Sequence, residues 1–142
     1  MIENKIKNRL PIQLFAWLLI IGSALVLLKT LFIHKGYYYL FNLYFLTKDF
    51  NPPVDFNFGL HAFFAILELV VTVTVFVSAV FVLKFKDFWR KVLSSSAGIS
   101  VLLVLFAPKI ILFPQSFLII VSLFLISVIV LLNKREVKEL FS

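Results

Sequence analysis

The sequence predicts an all-α membrane protein, a bundle of four transmembrane helices with both termini on the cytoplasmic side. Four long apolar stretches divide the chain, at about residues 11–33, 58–83, 92–107 and 116–132. A composition that is 62% hydrophobic, with a mean hydropathy of +1.06, leaves too little polar surface for a water-exposed domain of 142 residues. The cations gather at alternate connections instead of spreading along the chain. Crossing a hydrocarbon core takes roughly 20 helical residues at about 1.5 Å each, and a helix satisfies its own backbone there. The whole chain reads as one transmembrane domain.

Charge sets the expected orientation. The formal net charge is +7, from 14 Lys and Arg against 7 Asp and Glu. In a soluble protein that surplus would raise nucleic acid as a partner. Here Lys5, Lys7 and Arg9 precede the first span, Lys84, Lys86, Arg90 and Lys91 fill the connection 84–91, and Lys134, Arg135 and Lys138 follow the fourth span. The other two connections hold only Lys35, Lys48 and Lys109. Excess Lys and Arg marks cytoplasmic loops, so the basic loop and both termini are expected inside, in a multi-pass protein of the cell's inner (plasma) membrane. The expected partner is therefore the bilayer and not nucleic acid. Lys84, Lys86, Arg90 and Lys91 are expected to meet anionic headgroups, with Phe88 and Trp89 anchored at the interface beside them.

At the N-terminal end, Ile2, Ile6 and Leu10 share one helical face, which suits a short helix on the inner surface. Pro11 then fits the first turn of span one, where its missing N–H is harmless. A cleaved signal peptide competes for this region, but the apolar run is about twice a typical h-region and no A-x-A site follows it. An uncleaved signal anchor is the expectation. Along span one Ala16, Ser23 and Thr30 recur every seven residues, a stripe of small side chains that lets helices approach.

The outer loop, residues 34–57, is rich in aromatics, among them Tyr37, Tyr38, Tyr39 and Tyr44. Tyr concentrates at headgroup level, which favours an interfacial collar; an aromatic mouth that gathers a ligand is the other reading. His34, where span one gives way to this loop, reads as an interfacial residue. Asn51-Pro52-Pro53 breaks any preceding element, and Asn57 is placed to cap span two. Span three is short, and Pro108 interrupts the apolar run. Either the helix kinks there and ends near Pro114, or it stops at Ala107 and Ile110 to Phe113 lies in the outer interface; the second places Lys109 among headgroups and is preferred. Ser94 with Gly98, and Ser122 with Ser127, are expected to pack helices three and four.

Glu68 is the residue that most needs an account. It stands about ten residues inside span two, roughly 15 Å deep. An ionised side chain facing lipid at that depth costs about 2.5–3.5 kcal/mol on insertion scales for Asp, Lys and Arg, so Glu68 should be turned inward, paired or protonated. His61, Ala65, Glu68 and Thr72 follow one helix face. Lys29, about 7 Å nearer the outer surface, is the expected partner, unless it snorkels to the tyrosine collar. These groups suit either a structural polar pin that fixes helix register or a relay for protons or cations. His61 and Glu68 alone are too few ligands for a metal.

Chemistry of other kinds finds no support. With no Cys there is no thiol catalysis, thiolate metal site or disulfide. No phosphate-binding glycine loop, zinc-protease motif or nucleophile elbow appears, and four Gly are too few for a glycine cradle. Ser94, Ser95 and Ser96 have no His nearby in sequence to activate them. The chain is therefore expected to be non-enzymatic and to need no cofactor.

Two segments carry a resemblance. Leu83-Lys84-Phe85-Lys86-Asp87-Phe88-Trp89-Arg90-Lys91 is similar to the L-K-x-K-x-W-[AG]-R-K loop of uncharacterised small four-helix bacterial membrane proteins. The ending Lys134-Arg135-Glu136-Val137-Lys138-Glu139-Leu140-Phe141 resembles their P-E-V-K-x-[AL]-F tail. Phe88 stands where that loop has Trp, Trp89 where it has a small residue, and Arg135 where the tail has Pro. The resemblance implies an architecture and no activity. The expectation for function is an accessory or structural subunit acting by protein and lipid contacts, with a membrane protein or a second copy as partner. A small oligomeric transporter or proton-coupled channel using Glu68, Lys29 and His61 is the alternative.

Overall fold

A computed structural model describes residues 2–28, 58–106 and 115–141, and all of its regular structure there is helical. The first helix, α1, runs unbroken from Ile2 to Leu28 with Pro11 inside it. This corrects the expected surface helix followed by a fresh start at Pro11. The proline withholds one N–H from the carbonyl four residues back, but that carbonyl belongs to Lys7, an exposed residue, where a missing bond costs less than it would in the packed part of the bundle. Contacts on either side of the proline hold the axis. Arg9 lies over the Phe85 ring, and the buried stripe Ile12, Ala16, Leu19 and Ser23 begins directly after Pro11.

Helix α2, Phe58–Val82, agrees with the span expected at 58–83. It ends in a turn whose N–H groups at Lys84 and Phe85 donate to the carbonyls of Phe81 and Val82, at 3.0 and 2.9 Å. Helix α3 follows at once, Asp87–Phe106, and so begins at Asp87 instead of Val92. Its first turn is too polar for a hydropathy reading to include. Asp87 nevertheless favours helix there, because a carboxylate suits the positive end of the helix dipole and can reach cations three and four residues on. With 20 residues the helix is about 30 Å long, which removes the expected shortness of span three. The choice between a stop at Ala107 and a kink at Pro108 lies outside the described residues. Helix α4, Gln115–Asn133, agrees with the span expected at 116–132, and after a bend at Lys134 the short α5 covers Arg135–Lys138.

Three helices are long and apolar enough to cross a membrane, over Arg9–Leu28, Asp87–Phe106 and Ser116–Asn133, while the described apolar stretch of α2 is the shorter Ile66–Val82. Helix α2 packs between α1 and α3, α3 also packs on α4, and α1 touches α4 along a shorter seam. Ile12, Ala16, Val82, Leu93, Val128 and Leu132 meet where the four helices converge. Between lipid-embedded helices such contacts work through close van der Waals packing, which favours small residues. Ala16 and Ser23 are buried as expected, and so are Ser78, Ala79, Ser96, Ala97 and Ser122. Thr30 lies outside the described residues.

Gly98 departs from expectation, because a Cβ there would meet nothing within 4 Å. Ser94 meets α4 through a side chain instead, its Oγ accepting from Nδ2 of Asn133 at 2.9 Å. Ser127 faces outward and donates to the Leu123 carbonyl, while Ser122 is buried and donates to Leu118. Such bonds to carbonyls three or four residues back let hydroxyls sit at membrane depth without a partner helix.

Candidate functional site

The basic end of the bundle gathers charge, aromatic rings and parts of the chain that are distant in sequence. Its pivot is the turn after α2. Phe85 adopts a left-handed backbone, with φ of 52°, which turns the chain sharply enough for α3 to start two residues later. For a non-glycine residue that conformation costs about 1–2 kcal/mol. Ring contacts offset the cost. The Arg9 guanidinium lies 4.9 Å from the centroid of Phe85, and the Phe141 ring lies 5.4 Å from it. The start of α1, the turn and the end of the described chain thus converge on one side chain.

A second aromatic group stands beside the first. Trp89 stacks on Phe81 with centroids 4.6 Å apart, and Phe88 meets the Trp89 ring edge-on at 5.2 Å. The Lys84 ammonium sits 5.1 Å from the centroid of Phe81. Phe88 is 66% exposed, whereas Trp89 is half-buried by its stack. Among these rings, Phe88 is the most exposed.

Arg90 corrects the sequence expectation most clearly. Placed there among the headgroup-binding cations, it is instead 5% exposed, and its guanidinium is committed inside the protein. Nε donates to Oδ1 of Asp87 at 2.7 Å, and Nη2 approaches the same oxygen at 2.6 Å. Nη1 donates to the Leu132 carbonyl at 3.1 Å. That carbonyl belongs to the last turn of α4, where carbonyls lack helical partners, so a cation there closes an orphan acceptor and suits the dipole. Phe141 covers the group, its ring centroid 6.0 Å from the guanidinium carbon. Arg90 thereby ties the start of α3, the end of α4 and the tail together.

The remaining loop cations stay at the surface. Lys84, Lys86 and Lys91 are exposed, with Lys91 paired to Oδ2 of Asp87 at 2.7 Å. Asp87 is so occupied by Arg90 and Lys91 that it does not neutralise Lys84 or Lys86. Arg9, from the basic cluster ahead of the first span, joins this group through Phe85. Asp87 was legible in principle, since Asp with Arg and Lys three and four residues later is a helix-start pattern. The meeting of Arg9, Phe85 and Phe141 was not, because no local pattern joins residues so far apart.

The intramembrane candidates lie elsewhere. Glu68 projects from α2 with its side chain exposed, and among the described residues no side chain meets its carboxylate. Thr72 does not serve as its partner, because its hydroxyl donates to the backbone carbonyl of Glu68 at 2.7 Å. Lys29 lies outside the described residues, and so does the His61 side chain. Among the described residues no three His, Asp or Glu side chains come together as a metal ion would require. Compared with known proteins, the chain matches no family model, no curated protein and no solved structure.

Proposed function

We propose that this chain is a small polytopic protein of a bacterial inner membrane, with four spans and both termini inside, acting without catalysis as an accessory or structural subunit through contacts with protein and lipid. The observation that carries the reading is the convergence of Arg9, Phe85 and Phe141 at one end. A chain whose start, middle turn and tail meet at one end passes through its bundle an even number of times, which supports reading α2 as a fourth span beside the three long apolar helices. The side chains there either hold the end together, as Arg90 does, or stand exposed as cations beside a free aromatic ring. That division suits a docking face at an anionic inner leaflet. The loop and tail resemblance to small four-helix bacterial membrane proteins supports the same architecture.

Affinity purification in a mild detergent, followed by mass spectrometry, tests the proposal. The expected result is one membrane protein recovered repeatedly at a fixed ratio to this chain. Purified protein that drives proton flux across liposomes, with the flux abolished in a well-folded Glu68→Gln variant, would overturn it in favour of a transporter.

A further inference from the structure

Packing in this bundle is uneven along its length. Every described buried side chain lies at, or on the basic side of, the level marked by Ser23, Val71, Leu103 and Ser122. Beyond it, the described side chains of all four long helices are exposed or only half-buried. Glu68 stands in this open part. It belongs to the same helical stripe as Val75, Ala79 and Val82, seven, eleven and fourteen residues further on, all three of which are buried against neighbouring helices. The stripe that is covered at the basic half is uncovered at Glu68.

Resting on the accessory reading, we propose that Glu68 is the docking point for a partner protein's membrane helix carrying a Lys or Arg at matching depth. Charge complementarity selects that occupant. A carboxylate in hydrocarbon calls for a cation or a strong donor, and the nearby hydroxyl of Thr72 is already bonded to backbone. A lipid headgroup does not fit, because Glu68 lies ten residues, about 15 Å, from the outer end of α2. A second copy presenting its own Glu68 would set like charges together. The exposed face of α2 at Glu68 gives an incoming helix a surface to pack on, and the carboxylate sets its register, a role polar groups fill well between membrane helices.

The test uses the full chain in vesicles with a synthetic leucine-rich helix of about 20 residues that carries one central Lys, compared with the same helix carrying Leu, and with association read by energy transfer. Wild type should bind the Lys helix about tenfold more tightly than the Leu helix, as an interhelical polar contact of ordinary strength allows, and Glu68→Gln should erase the difference. Helix content and Trp89 emission report that this variant remains folded. Equal binding of both helices by wild type overturns the proposal, and a Lys preference that appears only in Lys29→Gln assigns the carboxylate to the chain's own lysine and overturns it too. Energy transfer between labelled copies that Glu68→Gln abolishes would make the occupant a second copy, again against the proposal. A co-purified partner that survives Glu68→Gln at full yield leaves the accessory reading standing while removing Glu68 as its docking point.

Discussion

Replacing Arg90 with alanine removes a buried side chain that bonds the first turn of α3 to the last turn of α4. The charged donor to the Leu132 carbonyl, at 3.1 Å and shielded from solvent, is worth about 1.5–3 kcal/mol. The Phe141 ring, at 6.0 Å, stands at the edge of useful cation–π range and adds about 0.5 kcal/mol. Arg90→Ala should therefore cost about 2–3.5 kcal/mol, and release of Asp87 acts in the same direction. Arg90→Lys should recover only part, because an ammonium cannot reproduce a fork that reaches Asp87 and Leu132 together. Unfolding by added dodecyl sulfate in maltoside micelles, followed through Trp89 with Trp17 replaced by Phe, gives the measurement. An Arg90→Ala midpoint within about 0.5 kcal/mol of wild type, or an Arg90→Lys variant as stable as wild type, would refute the clamp.

Other substitutions probe the turn, the first helix and the cationic face. Phe85→Gly and Phe85→Ala both lose the ring contacts, but glycine also relieves the left-handed backbone, so Phe85→Gly should be the more stable of the two by about 1 kcal/mol in the same unfolding assay. Pro11→Ala should stabilise α1, by up to about 3 kcal/mol, since the proline stands inside a continuous helix; a loss of stability would place the helix start at Pro11 after all. Changing Arg9, Lys84 and Lys86 together to Gln should weaken association with anionic vesicles in a salt-dependent way and leave neutral vesicles unaffected, as flotation would show. Unchanged preference for anionic vesicles would remove the lipid role of this face.

What the sequence revealed and what it hid divide along physical lines. The helices expected at 58–83 and 116–132 were legible almost to the residue, because long apolar runs with polar flanks define a helix without help from neighbours. Span three was misjudged because its first turn, Asp87 to Lys91, is helical for electrostatic reasons that hydropathy does not register. Pro11 was read by its local preference, which packing on both sides overrides. The basic loop was found as a cluster of charge, but pattern alone could not separate Lys86, which is free, from Arg90, which is buried. That difference depends on where the ends of α4 and the tail fall, and those are contacts between distant parts of the chain. Glu68 stands out in the sequence as a carboxylate within an apolar run, while its exposed position on α2 emerges only when the helices are set side by side.

The central claim is a four-pass bundle whose start, 84–91 loop and tail share the inner side of the membrane. Because the chain has no Cys, single cysteines report on sidedness without interference. Lys86→Cys, Ser142→Cys and Asp55→Cys, each treated with a membrane-impermeant maleimide, decide the matter. Lys86→Cys and Ser142→Cys should label only in inside-out vesicles, and Asp55→Cys only in intact cells. Labelling of Lys86→Cys and Ser142→Cys from opposite sides would mean an odd number of passes between them and would contradict the account.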